Sequence, residues 1–222
     1  MLGDLAKAGQ AITKFGGDAP VVQASKGMQA LYQRDYAQAS QWFRKAIAAD
    51  NSATQTDNAF DGYLPASVDW QLQLALSEQR AGAADAARAA YEEVKARATQ
   101  VLDAKPASRY VETGWHLALG LALAGLGESE AAVSQGNMAV VMVPESDDRL
   151  EAPFWQFYLA RIHALDGDAT HAVPLARRLF ETKASFMTAA LLQIDPAWDT
   201  IRTDPAFQAL MQSSTTAPAR TP

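Results

Sequence analysis

An all-α fold is predicted by three observations: a spaced phrase that recurs along the chain, a glycine that closes each clear copy, and helical spacing of apolar residues in the segments between. The phrase is W-x3-L-[small]-x6-G-x4-A. It is spelled by Trp115, Leu119, Gly120, Gly127 and Ala132, by Trp70, Leu74, Ala75, Gly82 and Ala87, and by Trp155, Leu159, Ala160, Gly167 and Ala172. A fainter copy runs through Val22, Lys26, Gly27, Arg34 and Ala39. In each clear copy Trp and Leu lie four apart, on one helical face. The small residue lets a second helix approach, and the Gly tolerates the left-handed turn that ends a helix. Each copy thus reads as helix, tight turn, antiparallel helix. One hairpin cannot bury its apolar face alone, whereas a stack can, so the expected architecture is an α-solenoid.

The second helices carry Tyr36, Ala39, Phe43, Ala46 and Ile47, then Ala87, Tyr91 and Val94, then Ala132, Gly136 and Ala139 before Pro144. These positions, with the small residue and Gly, resemble the tetratricopeptide repeat (TPR), most fully between Trp115 and Pro144. The repeats are degenerate: Ala39, Ala87, Ala132 and Ala172 are 48, 45 and 40 residues apart, against about 34 in the family. The Trp lies one place early, and Gly136 replaces an aromatic.

Taken in order, residues 1–17 form an N-terminal helix or linker. Leu2, Leu5, Ile12 and Phe15 form an apolar face closed by Gly16-Gly17. The helix is expected to pack on the first repeat, to lead to an upstream domain or to act as a dimerisation arm. Residues 18–185 hold four hairpins: 20–50, with Asp35 as a cap; 66–104, closed by Lys105-Pro106; 107–143; and 150–182, with Pro174 read into a helical first turn. Residues 51–64 form a polar loop in which Phe60 and Tyr63 anchor it or meet a partner, and Pro65 opens the next helix. Asp147 or Asp148 caps a helix. Residues 186–212 form a helical cap in which Asp195-Pro196 and Asp204-Pro205 each start a short helix, closing the end of the stack. Residues 213–222 read as a disordered tail.

The cap sequence, from Asp195 through Trp198, Ile201, Arg202 and Phe207 to Leu210, resembles the ending of TPR segments in multidomain bacterial signalling proteins: serine/threonine kinases, adenylate cyclases and winged-helix regulators. The likeness covers roughly residues 110–211. It implies a non-catalytic regulatory or sensor segment, periplasmic after a kinase's membrane anchor and cytoplasmic otherwise.

With 222 residues, 49% of them hydrophobic, the chain can bury a sizeable core. A net charge of −6 argues against a nucleic-acid partner, and the Arg177-Arg178 pair reads as a solvated face. Absence of cysteine removes thiolate chemistry. No apolar run is long enough to cross a membrane, and the first residues do not read as a signal peptide. No catalytic residue, cofactor or metal is expected. Asp166-Gly167-Asp168-x-Thr170 is a poor calcium loop, with His171 at the Gly position and Arg177 at the Glu position, and reads as a turn plus cap. His116 and His163 read as satisfied interior or groove histidines, able to approach each other in a stack. Glu92-Glu93 reads as a charged helix edge.

In the TPR arrangement first helices line a concave groove for a protein or peptide. From the first hairpin it would present Met28, Leu31 and Tyr32, and from the second Leu72, Leu76, Gln79 and Arg80. The third and fourth would add Leu117, Leu121, Phe157, Arg161 and Leu165. Arg80 and Arg161 would be available for a carboxylate. Alternatively the groove is filled by residues 2–15 or 51–64. A small-ligand receptor or enzyme using the groove, with His116, His163, Arg80 and Arg161 as its polar groups, and a self-associating (homodimeric) module are the other readings.

Overall fold

The computed structural model describes residues 5–50, 66–182 and 187–215. Among them there is no strand. The helices are α1 (Leu5–Phe15), α2 (Pro20–Tyr32), α3 (Tyr36–Ala49), α4 (Ala66–Arg80), α5 (Ala84–Asp103), α6 (Arg109–Leu126), α7 (Ser129–Met142), α8 (Ala152–Leu165), α9 (Ala169–Glu181), α10 (Ala189–Ile194), a 3-10 helix (Pro196–Ile201) and α11 (Pro205–Thr215). None of these is long and apolar enough to cross a membrane.

The recurring phrase fixes four near-identical turns. Gly82, Gly127 and Gly167 have φ of 79°, 80° and 80°, and Arg34 holds the same left-handed conformation at 66° in the faint copy. In each turn the next amide donates to the carbonyl five residues back: Asp35 to Ala30, Ala83 to Glu78, Glu128 to Leu123 and Asp168 to His163, all at 2.9 Å. These bonds satisfy carbonyls that the helix end would otherwise orphan. The phrase's Ala39, Ala87, Ala132 and Ala172 then donate into the first turn of the second helix.

Packing follows from these turns. From α2 to α9 each described helix packs on its chain neighbours, and α6 also packs on α4 and α8. Gly120 shows why a small residue follows the Leu. A Cβ there would lie 2.7 Å from Ile162 Cδ1 and 3.1 Å from the Ala132 carbonyl oxygen. The main core runs from α4 to α11 and is filled by Trp115, Leu117, Trp155, Ile162, Trp198 and their neighbours. A smaller cluster holds Leu31, Phe43 and Leu74.

Several expectations need adjustment. The helix α9 begins at Ala169 behind its Asp168 cap, so Pro174 lies inside the helix and not in its first turn. It therefore removes one backbone hydrogen bond. Helix α11 continues through Thr215, so residues 213–215 are helical and not part of a tail. Asp35 caps α3 as expected. Asp148 accepts from the amides of Leu150 and Glu151, ahead of α8. The Asp195-Pro196 pair starts a 3-10 helix rather than an α-helix, while Asp204-Pro205 starts α11. Helix α1 packs on α2, and Gln29 donates to the Leu5 carbonyl. Phe60, Tyr63 and Pro65 lie outside the described residues.

Because no atom lies within 4 Å of a Cβ placed on Gly127, the cost of Gly127→Ala is that of backbone strain alone. Urea unfolding should show a loss of about 1 kcal/mol.

Candidate functional site

The first-helix face expected to lie open is covered. Leu31, Leu72, Leu76, Leu117, Leu121, Phe157 and Arg161 are buried. Met28, Tyr32, Arg80 and Leu165 are half-buried, and only Gln79 is exposed. Part of the cover is the chain's own segment 195–201, which packs on α8 and reaches the end of α4, while α4, α6 and α8 bury one another's faces; α1 packs on α2, and residues 51–64 lie outside the described residues. Trp198, fully buried, lies 6.5 Å from the Phe157 ring and stacks on Phe207 at 6.0 Å. Arg80 Nη2 donates to the Pro196 carbonyl at 2.9 Å. Arg34 pairs with Asp199 at 3.0 Å, and the Thr200 hydroxyl donates to the Ala164 carbonyl. The segment thus ties α4 and α8 to the turn after α2. The first-helix positions offered for a partner are thus largely buried within the chain, in part by a segment other than the two expected to fill the groove.

Under this segment lies a polar cluster. Arg161 Nε is 3.7 Å from Asp195 Oδ2, and both side chains are nearly inaccessible. Burial opposes the Arg161 charge, but Asp195, Tyr158, Tyr32 and Asp69 more than offset it and raise the pKa. Burial also pushes the Tyr32 hydroxyl up, with Asp195 adding to the shift. Asp69 accepts from Gln73 at 3.1 Å, yet burial still raises its carboxyl above the usual range. The crevice beside Arg161, lined with Leu72, Leu76, Tyr91 and Leu121, holds about 10 Å³, room for one water at most.

The open site lies on the other side of the fourth hairpin. A groove of about 900 Å³ runs between α7 and the turn joining α8 to α9. One stripe of α7 (Glu130, Val133, Ser134, Asn137, Met138 and Val141) forms one wall, and His163, Asp166, Asp168 and His171 form the other. Met138 is 49% and Val141 72% exposed, whereas the opposite α7 stripe of Ala132, Gly136 and Ala139 is buried. The Ser129 hydroxyl donates to Asp166 and joins the two walls.

On the second wall Asp168 caps α9 through Oδ1, which accepts from the His171 amide at 3.1 Å. Its Oδ2 lies 3.0 Å from His163 Nδ1 and 2.6 Å from His171 Nδ1. The two imidazoles stack at 5.1 Å and 23°. Burial pushes the pKa of His163 down, more than Asp168 lifts it. Burial also works against the Asp168 carboxylate, but the bonds from His171 and His163 hold its pKa below the usual value. His163 is a satisfied interior histidine as expected, but His116 has a different partner, Gln135 at 2.6 Å. The role of His171 was missed. The signal was legible as H-x4-D-x2-H across Gly167, because the turn folds His163 back over the start of α9. Glu92, Glu93, Arg177 and Arg178 are exposed, as expected of solvated helix faces.

No family model matches the chain, and no curated protein or solved structure is significantly similar to it.

Two outcomes are expected in the polar cluster. Arg161→Met should cost about 3–5 kcal/mol in urea unfolding by stranding Asp195, and adding Asp195→Asn, which keeps the capping oxygen, should recover part of the loss. For Asp69 the folded pKa exceeds the unfolded one, so ionisation opposes folding once pH rises above about 3.9. Asp69→Asn should therefore raise Tm at pH 7. The gain should disappear in melts below pH ~3.9, where the carboxyl is protonated folded or unfolded.

Proposed function

We propose that the chain is a non-catalytic protein-interaction module of four TPR-like hairpins, the regulatory segment of a bacterial signalling protein such as a serine/threonine kinase. The observation that carries the repeat reading is the hydrogen bonding shared by the four turns, down to the same 2.9 Å amide-to-carbonyl bond. A solenoid of such hairpins works as a scaffold for surfaces. The reading as a receptor or enzyme built on the first-helix face has less support, since the space among its converging polar groups is about 10 Å³.

Because the first-helix face is largely buried within the chain, the partner surface in this proposal is the groove along α7. Its exposed Met138 and Val141 offer apolar contact. Glu130, Asp166 and Asp168 surround them with negative charge. The occupant that fits is a helical partner segment with an apolar stripe and basic flanks.

Anisotropy titrations with labelled amphipathic helices test this reading. An 18-residue Leu/Lys peptide should bind, its Leu/Glu counterpart should not, and Met138→Lys with Val141→Lys should weaken binding at least about tenfold, a loss of ~1.4 kcal/mol. Failure of the Leu/Lys peptide to bind, or equal binding by the double variant, would overturn the groove assignment.

A further inference from the structure

We propose that His163, Asp168 and His171 form a site for one divalent transition-metal ion on the wall of the α7 groove. Among the described residues this trio brings one donor atom each within 4.8 Å of one another. Two imidazole nitrogens and a carboxylate oxygen suit zinc, nickel, copper or cobalt better than magnesium or calcium, which prefer all-oxygen shells. A tetrahedral ion with bonds near 2.1 Å separates its ligand atoms by about 3.4 Å. Asp168 Oδ2 now lies 3.0 and 2.6 Å from the two Nδ1 atoms. Small outward shifts would therefore admit an ion where those hydrogen bonds now run.

The backbone already orients the ligands. The Asp168 amide donates to the His163 carbonyl at 2.9 Å. The His171 amide engages Asp168 Oδ1, leaving Oδ2 for the imidazoles. Asp166, held by Ser129, fixes the turn between them. Three protein ligands leave a fourth position for water or a donor from the groove.

The repeat supplies an internal control. At the first turn Asp35 caps α3 with the same geometry, accepting from the Gln38 amide at 3.1 Å. The positions of His163 and His171 are there taken by Ala30 and Gln38. The second turn has Glu78 and Ala86, and the third Leu123 and Ala131. The turn thus forms without imidazoles at all three positions, and at the first so does the Asp cap, so neither turn nor cap accounts for the two histidines of the fourth.

The chain has only three histidines and no cysteine, which makes the test clean in tag-free protein. Calorimetric titration with Zn2+, in the presence of excess Mg2+, should show one ion bound per chain. His171→Gln alters a side chain that is 66% exposed, and Asp168→Asn keeps a capping oxygen. Without metal, His171→Gln should melt close to the parent and Asp168→Asn, which loses the charge facing both imidazoles, somewhat lower but cooperatively; both should bind Zn2+ at least about tenfold more weakly. His116→Gln should bind like the parent. No saturable binding of Zn2+, Co2+ or Ni2+, or parent-like Zn2+ affinity in His171→Gln and Asp168→Asn, would overturn the site. The titration needs no peptide, so it stands or falls separately from the groove's occupant.

Discussion

At four points among the described residues a helix ends in a residue with positive φ, and the next amide reaches back five residues to bind one carbonyl of the helix's last turn. A left-handed residue costs little at Gly and roughly 1–2 kcal/mol elsewhere. Three turns use Gly, and the fourth uses Arg34. That exception is instructive, because the Arg34 guanidinium pairs with Asp199 in the C-terminal segment. The residue that strains the first turn also helps to fasten the segment crossing the other hairpins. Reversing the chain within three residues sets each pair of helices against each other, and Gly120 or buried Ala75 and Ala160 let them come close.

The covered inner face has an electrostatic logic. Arg161 and Asp195 are drawn into an apolar interior, where desolvation costs several kcal/mol per ion. The pair is not a source of net stability in itself. Its effect is selective: a displaced segment would leave Arg161 facing hydrophobic neighbours without its counter-ion. Arg80, bonded to the Pro196 carbonyl, adds a directional constraint that apolar contacts lack. Trp198 brings the buried area and the arginines set the register in which it is buried.

Helix α7 shows how one element serves two surfaces. Its Ala132, Gly136 and Ala139 stripe is small enough to lie against α6 and α8, with Leu159 Cδ1 2.8 Å from where a Gly136 Cβ would be. Its opposite stripe carries Met138 and Val141, which the fold does not need. Two apolar stripes on one helix mean that one of them is spare. The His163–Asp168–His171 cluster stands across the groove from that spare stripe. Neither the apolar side chains nor the imidazoles are demanded by the repeat, and the two features lie in one place.

The helices and their turns were legible because their causes are local: a Gly, a cap and a four-residue spacing act within one or two turns of chain. The cover over the first helices was not, because an apolar stripe states only that it shuns water. Leu72, Leu117 and Phe157 look the same in sequence whether a partner or a distant part of the chain lies on them. The sequence held a clue in Trp198 and Ile201, two large apolar residues between Asp-Pro pairs, which reads equally as an end cap. What distinguishes the two is charge balance. Arg80 and Arg161 on the inner face require an acceptor, and segment 195–199 offers Asp195, the Pro196 carbonyl and Asp199 at spacings that reach Arg161, Arg80 and Arg34. The histidine pair escaped for the same reason in reverse: His163 pairs in sequence reasoning with His116, its counterpart on another first helix, whereas its chemistry comes from the turn that joins it to His171.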